Sequence, residues 1–273
     1  MKLLTFSHFK SDPYFNMAFD EWMLHKVLEQ KSLICLRLYS WSVGTITFGY
    51  NQQVEKAFDN TNLGGTPVIR RVTGGRGLFH DMSELTYSIS ISSDLIEKKL
   101  VSESISKASF DIAQILMSFL NQLNISSDYV KQSNPIEKKA DFFHKAPCFE
   151  SFSRNEIISE NKKIIASAQR RIQGSLLQHG SIKINGLVQH DALPMTSAKY
   201  MDTKEMKEIS ETYFMNTLPI FFNSFAEAFH VNLEQGVLLE SDTSQLRMRE
   251  KLVLQKYLEK REFIKHSEES VSL

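Results

Sequence analysis

A glycine-rich stretch with three arginines is the part of this sequence whose residue types and spacing most clearly suggest chemistry. It runs from Arg70 to Asp81 and reads Arg-Arg-Val-Thr-Gly-Gly-Arg-Gly-Leu-Phe-His-Asp. Glycines let a backbone approach a ligand closely, and guanidinium groups grip carboxylates or phosphates through paired hydrogen bonds. The pattern predicts a cradle for an anion attached to something bulky. The competing interpretation is a solvated hairpin with incidental charges.

A cysteine and a lysine further along the chain are the other candidates for chemistry. Cys148 lies in the loop Lys-Ala-Pro-Cys-Phe-Glu-Ser, where nearby cations favour the nucleophilic thiolate. Lys163 precedes an apolar pair at the start of a predicted strand, a position where a lysine is usually a solvated charge. His80 and His144 are candidate bases, although isolated histidines are more often structural or exposed. On these residues alone, catalytic and structural roles both stay open.

The elements that must position these residues interleave irregularly along the chain. Apolar and β-branched runs predict strands at 3–9, 32–39, 45–50, 67–69 and 85–91, and a meander of short strands within 155–182. Helical spacing predicts helices at 16–30, 102–124, 216–230 and 245–265, the third capped by Asn216 or Thr217 with Pro219 in its first turn. The polar stretch 126–145 is predicted to be an exposed loop. The expected fold class is α+β, with mixed, largely antiparallel β-sheets flanked by helices.

The composition argues against several classes of protein. The chain has 273 residues, 42% of them hydrophobic, with 32 basic and 32 acidic side chains. A nucleic-acid partner is not expected, because such proteins normally carry a basic excess. The sequence has no apolar run of bilayer length and no signal-peptide pattern, so we expect no membrane partner. The two cysteines, Cys35 and Cys148, show no metal-type spacing and are best read as reduced thiols of a cytoplasmic protein.

Taken together, several segments resemble the lipoate–protein ligase and octanoyltransferase family. The glycine-rich stretch is followed by the Cys148 loop, by Lys163-Ile-x-x-Ser-Ala-Gln-x-Arg, and by Leu-Gln-His-Gly-Ser-Ile ending at Ile182. Residues 16–21 resemble the first helix of that family, and 36–41 with 49–52 resemble its first strand pair. The resemblance covers about residues 5–195. It implies the catalytic-domain fold of the biotin and lipoate ligases, with a tunnel for an acyl chain, over 1–235, and a helical extension over 236–273 without a full accessory domain.

The resemblance also implies an activity, the attachment of an octanoyl or lipoyl group to a lysine of a lipoyl domain. Transferases of the family take octanoyl from acyl carrier protein onto a cysteine and need no cofactor, whereas its ligases use ATP and Mg to make a lipoyl-adenylate. The transferase is favoured because Cys148 stands in a matching Cys-Phe-x-Ser-x-Ser and Arg76 completes a Gly-Gly-Arg. The alternatives are an ATP-dependent ligase and an inactive paralogue that binds an acylated carrier or a lipoyl domain.

Roles for individual residues follow from the same resemblance. Cys148 would be the nucleophile, and Lys163 would stabilise its thiolate and hydrogen-bond the thioester carbonyl. Structural roles, bracing the turn rather than acting on substrate, are favoured for His80, Asp81 and His179. The implied acceptors are lipoyl domains of the glycine cleavage H protein and of 2-oxoacid dehydrogenase E2, and the implied donor is acyl carrier protein. The implied substrate-binding residues are Arg71, Thr73, Gly74, Gly75, Arg76, Gly77 and His80.

Some positions depart from the family pattern. Ala166 stands where the family usually has glycine before Ser-Ala-Gln, and Asn161 stands where glycine often precedes the lysine. If the backbone at 166 needs a positive φ, alanine costs about 1 kcal/mol there. Ser42-Val43 replaces a common Pro-Pro, and Gly77-Leu78 replaces Ala-Val. These departures bear on substrate choice and efficiency more than on the fold.

Overall fold

The computed structural model describes residues 1–52, 64–130, 156–160, 162–184 and 208–253. Eleven strands occur in these parts of the chain, in two sheets. They are β1 (Lys2–Ser11), β2 (Leu33–Trp41), β3 (Thr45–Phe48), β4 (Val68–Arg70), β5 (Leu78–His80), β6 (Leu85–Ile91), β7 (Asp128–Val130), β8 (Glu156–Ser159), β9 (Lys162–Ile172), β10 (Ser175–Ile182) and β11 (Leu233–Gln235). The helices are α1 (Pro13–Glu29), α2 (Ser93–Glu97), α3 (Ile105–Gln122), α4 (Glu211–Phe229) and α5, which begins at residue 240 and is described to residue 253.

The large sheet has the strand order β11-β1-β2-β6-β10-β9-β8-β7, and the small sheet has the order β4-β3-β5. Pairing is parallel between β1 and β2, between β1 and β11, and between β3 and β4, and it is antiparallel elsewhere. The expected mixed, largely antiparallel α+β architecture is therefore confirmed.

The two faces of the large sheet pack against different helices because strand side chains alternate. On β2, Ile34, Leu36 and Leu38 join the core cluster under α3 and α4, where Phe119 and Phe221 meet with ring centroids 5.3 Å apart. Cys35 points to the other face, in the cluster with α1. There burial raises the pKa of the Cys35 thiol to about 12, as befits core filler rather than a reactive group.

Helix α1 lies on the face of the sheet that also carries the site residues. Asp12 caps the helix by accepting hydrogen bonds from the backbone N–H groups of Tyr14 and Phe15, and Pro13 occupies its first turn. Helix α5 packs beside α1, with Lys26 and Asp242 paired at 2.8 Å and Leu246 in the shared core. Among the helices that the structure describes, none has the length and apolar character needed to cross a membrane.

Four local predictions were wrong in detail. Helix α4 begins at Glu211, because the Ser210 side chain caps it through the Tyr213 N–H, and Pro219 lies inside it rather than in its first turn. Helix α5 begins at residue 240 rather than 245. Within the predicted exposed loop, residues 128–130 form strand β7 beside β8. The glycine-rich stretch contains an extra strand, β5, and the strands predicted before and after the stretch do not form one hairpin, because β4 lies in the small sheet and β6 in the large one.

Candidate active site

The glycine turn, residues 71–77, joins β4 to β5 and lies against the end of β3. A Cβ atom at Gly49 would contact the backbone of the turn, lying 2.9 Å from the Gly74 carbonyl carbon and closer still to the Gly75 oxygen. Gly75 has a φ of +96°, a conformation that other residues rarely adopt. Glycine is therefore needed at 49 for close approach and at 75 for backbone conformation.

The Arg71 guanidinium donates its hydrogen bonds to groups of the turn and of β3 rather than presenting them to an anion. It donates to the Gly74 carbonyl from Nε at 3.1 Å and from Nη2 at 2.9 Å. Nη2 also donates to the Arg76 carbonyl at 2.7 Å, and Nη1 donates to Thr47 Oγ1 at 3.1 Å. Arg70 is committed in a similar way, because its Nη1 donates to backbone carbonyls of residues 49, 50 and 52. The two arginines thus fix the backbone of the turn and of the segment that follows β3.

A buried chain of hydrogen bonds ties the turn to α1. Thr73 Oγ1 lies 2.5 Å from His179 Nε2, and His179 Nδ1 lies 2.8 Å from Asp20 Oδ2. Asp20 also accepts from the Tyr39 hydroxyl at 3.0 Å and pairs with the Arg37 guanidinium at 3.3 Å. Local sequence offered no signal for this Asp20–His179 pair, because its members lie 159 residues apart.

His80 belongs to a second buried network. Its Nε2 lies 2.8 Å from Thr47 Oγ1, its Nδ1 lies 2.6 Å from Glu84 Oε1, and its ring stacks on Trp41 with centroids 4.2 Å apart. Burial lowers the pKa of His80, although Glu84 opposes the shift. Burial would raise the pKa of Glu84, but Lys183 and His80 together lower it to about 2. Neutral His80 therefore donates from Nδ1 to an ionised Glu84 and accepts the Thr47 hydroxyl proton at Nε2.

A narrow cavity lies behind the glycine turn, between α1 and strands β9 and β10. Measured as the space open to the centre of a water molecule, its volume is about 40 Å³. Arg71, His80 and His179 lie on its wall, as do Met17, Gly75, Leu78, Ala166, Ala168 and Gly180. Gly75 is exposed and faces Ala168, whereas Met17 and Ala166 are buried, so the cavity runs inward from the turn.

Lys163 is buried, contrary to the usual solvated role of a lysine at the start of a strand. Its Nζ lies 2.7 Å from Glu156 Oε1, and the two side chains are only 1% and 8% exposed. The pair links β8 to β9, the strand that also brings Ala166 and Ala168 to the cavity. Sequence reasoning missed Glu156; its signal was a lone carboxylate directly before the apolar pair Ile157-Ile158.

The remaining residues of the predicted site lie on the turn, off the described cavity wall, or outside the described residues. Gly74 and Arg76 contribute the carbonyls that Arg71 holds, and Gly77 is buried where the turn leads into β5. Lys163 is not among the described residues of the cavity wall. Cys148, His144 and Asn161 lie outside the described residues.

Ala166 does not need a special backbone conformation. Positive φ angles occur at several described residues, and 166 is not one of them. It pairs with Ser181 in the regular β9–β10 ladder, so the conditional penalty for alanine does not arise. What alanine adds is a methyl group on the cavity wall.

Curated relatives of this sequence include two proteins named Octanoyltransferase LipM. The sequence is 36% identical to Octanoyltransferase LipM of Macrococcus caseolyticus, over 63% of this chain and 62% of that relative. It is 32% identical to Octanoyltransferase LipM of Bacillus cereus, over 84% of each chain.

The fold is similar to a solved structure from an archaeal lipoylation system, described as a bi-partite lipoate protein ligase and its E2 lipoyl domain from Thermoplasma acidophilum. The TM-score is 0.67 at 16% identity, covering 92% of this chain and 91% of that one. This likeness confirms the predicted type of fold. A family profile described as "Lipoyl protein ligase A/B catalytic domain" matches residues 12–218. The chain therefore belongs to the lipoyl protein ligase A/B catalytic domain family.

Proposed function

We propose that this protein is an octanoyltransferase of protein lipoylation, moving an octanoyl group onto the lysine of a lipoyl domain. The observation that carries the proposal is the narrow cavity behind the glycine turn, whose wall includes residues of β9, the strand on which Lys163 lies buried. Its relatives named Octanoyltransferase LipM support the choice of octanoyl transfer within the family.

The proposed donor is an octanoyl thioester of acyl carrier protein, and the proposed nucleophile is the thiolate of Cys148. Attack of the thiolate sulfur on the thioester carbonyl forms a new thioester, breaks the old one and expels the carrier as its thiolate, which takes a proton from solvent. The neutral ε-amine of the acceptor lysine then attacks, a C–N amide bond forms as the C–S bond breaks, Cys148 leaves as the thiolate, and the nitrogen loses one proton to solvent. Exchange between thioesters is nearly isoenergetic and the amide is more stable, so the sequence of steps needs no ATP or metal.

Lys163 is proposed to act on the carbonyl and the thiolate through its charge. An ammonium group stabilises a nearby thiolate and hydrogen-bonds the oxyanion that develops during each attack. Glu156 is a positioning residue in this account, because its carboxylate holds Nζ in place at 2.7 Å. The acyl chain would lie in the cavity, with the glycine turn at its mouth. We propose the cytoplasm as its location, in keeping with the reduced state expected of its two cysteines.

The test is transfer of octanoyl from octanoyl-acyl carrier protein to a lipoyl domain without ATP, followed by intact mass of the domain. Cys148→Ser should abolish transfer, whereas Cys35→Ala, which removes the chain's other thiol, should retain it. Modification by lipoate and ATP that survives in Cys148→Ser would instead identify a ligase. The absence of both activities would identify a binding paralogue.

A further inference from the structure

The cavity wall contains eight polar side chains, and each of them is hydrogen-bonded to another protein group. Five of the eight bond to two fully buried carboxylates, Glu84 and Asp20, which lie behind the wall residues rather than among them. The polar side chains of the wall therefore direct their hydrogen bonds to other groups of the protein.

Glu84 receives three of these bonds, from His80, Thr86 and Ser181. Lys183, which is not a wall residue, directs a fourth donor to the same carboxylate. A carboxylate has about four lone-pair sites, so this acceptor is saturated. Asp20 in the same way receives the hydrogen bonds of two wall residues, Tyr39 and His179.

The remaining wall groups are also engaged. Thr47 donates to His80 and accepts from Arg71, while Ser167 bonds the Tyr87 hydroxyl at 2.7 Å. A ligand hydroxyl placed against this wall would give up its bonds to water and meet groups that already have partners, a loss that an alkyl chain does not suffer.

We propose that the cavity selects acyl chains that carry no oxygen beyond the thioester carbonyl. Saturated octanoyl should bind about ten- to a hundredfold more tightly than 3-hydroxyoctanoyl, the ratio that an unpaired buried hydroxyl produces. This inference rests on the octanoyl transfer proposed above and narrows its substrate class. The reaction that supplies the substrate is therefore one that has already reduced the chain to a plain hydrocarbon.

The test compares three pantetheine amides that cannot transfer their acyl group, with binding measured by calorimetry. They carry octanoyl, 3-hydroxyoctanoyl or 7-hydroxyheptanoyl chains; the last replaces the terminal methyl of octanoyl by a hydroxyl without adding length. Both hydroxylated amides are expected to bind at least about tenfold more weakly than octanoyl amide. The inference is overturned if the dissociation constant of either hydroxylated amide is less than about tenfold above that of the octanoyl amide. It is also overturned if none of the three amides binds.

Binding of these amides does not require attack by Cys148. If the octanoyl amide is preferred but no transfer occurs, only the proposed enzymatic function fails. If transfer occurs without discrimination between the amides, only the present inference fails.

A variant pair tests the cause of the selectivity. Thr47→Val removes the hydroxyl that pairs with His80 and Arg71 while keeping the branched shape. For at least one hydroxylated amide, the ratio of its dissociation constant to that of the octanoyl amide should fall by about threefold or more, because polar groups on the wall lose their partner. Thr45→Val is the matched control, since Thr45 lies on the same strand, is equally buried and bonds the Val43 carbonyl instead. An unchanged ratio of dissociation constants in folded Thr47→Val overturns the inference. If that variant does not fold, the comparison of the three amides on the wild type decides.

Discussion

Lys163 and Glu156 form a buried ion pair between two neighbouring strands, with 2.7 Å between Nζ and Oε1. Burying a charge pair is costly, and a well-packed apolar pair of similar size is often at least as stable. We therefore expect Lys163 to have a role beyond folding. In the proposed mechanism that role is to stabilise the thiolate and the developing oxyanion through its charge.

A double-variant comparison separates the two roles of Lys163. Lys163→Met should lower the transfer rate by about two to three orders of magnitude through loss of a charged donor. It should also lower the free energy of unfolding by about 3–5 kcal/mol, because Glu156 loses its buried cation. Adding Glu156→Gln should restore most of the stability in urea unfolding without restoring transfer. Recovery of activity in the double variant would show that the lysine acts only on folding.

The close approach of Gly49 to the glycine turn predicts the effect of a single methyl group. Gly49→Ala should cost about 1–3 kcal/mol of unfolding free energy, because the new Cβ meets backbone of Gly74 and Gly75 that has little room to move. Gly74→Ala is the matched control; a Cβ there has no atom within 4 Å, and the expected change is within about 0.5 kcal/mol. Urea unfolding of both variants makes the comparison, and equal midpoints would contradict the packing described for the turn.

The fully buried pair of Asp20 and Arg37 should behave unlike an exposed ion pair. Asp20→Asn should destabilise by about 3–5 kcal/mol, since it leaves the Arg37 charge buried without its counter-ion. Glu234→Gln breaks the exposed Lys2–Glu234 contact of 3.6 Å, and a loss below about 1 kcal/mol is expected. A similar loss from both substitutions in chemical unfolding would refute the assigned burial of the network behind His179.

Stability should fall in mild acid because of His8. Burial, together with the Arg37 guanidinium that donates to its Nδ1 at 3.0 Å, lowers the pKa of His8 from 6.5 to about 3. Its contribution is complete above pH 6.5 and is lost as the pH falls toward 3, since the unfolded chain takes up the proton first. At pH 5 the loss is on the order of 2 kcal/mol.

The check on His8 is the pH dependence of unfolding in a variant that cannot titrate there. His8→Gln keeps an acceptor for Arg37, so it should show a flatter slope between pH 7 and 5 than the wild type. Parallel slopes for the two proteins would remove His8 from the account of acid sensitivity.

The sequence predicted the elements whose signals are local. Apolar runs indicated β2, β6 and β10, and the apolar stripe from Ile105 to Leu123 indicated α3, because these patterns reflect burial of one face. The first member of the stripe, Ile105, is nevertheless exposed. The predicted start of helix α4, at residue 216, lies after the observed start at Glu211, because Pro219 suggested a first turn whereas the actual cap is Ser210. A proline preference is statistical, whereas the hydroxyl of Ser210 satisfies a backbone N–H directly.

The site was harder to predict because its contacts are distant along the chain. Glycines and arginines indicated the turn, but not that Arg71 would be committed to its carbonyls. The burial of Lys163 depends on Glu156 across a strand pair, and the position of His179 depends on Asp20 of the first helix. Such pairings are set by the order of strands in the sheet, which residue types do not encode locally.

The central claim is that Cys148 carries the octanoyl group between donor and acceptor, and the mass of the protein itself tests it most directly. After incubation with octanoyl-acyl carrier protein and no acceptor, we expect one octanoyl adduct, located by digestion to the peptide containing Cys148. The adduct should be absent from Cys148→Ala and present in Cys35→Ala. No adduct on the wild type, or one on another residue, would contradict the account.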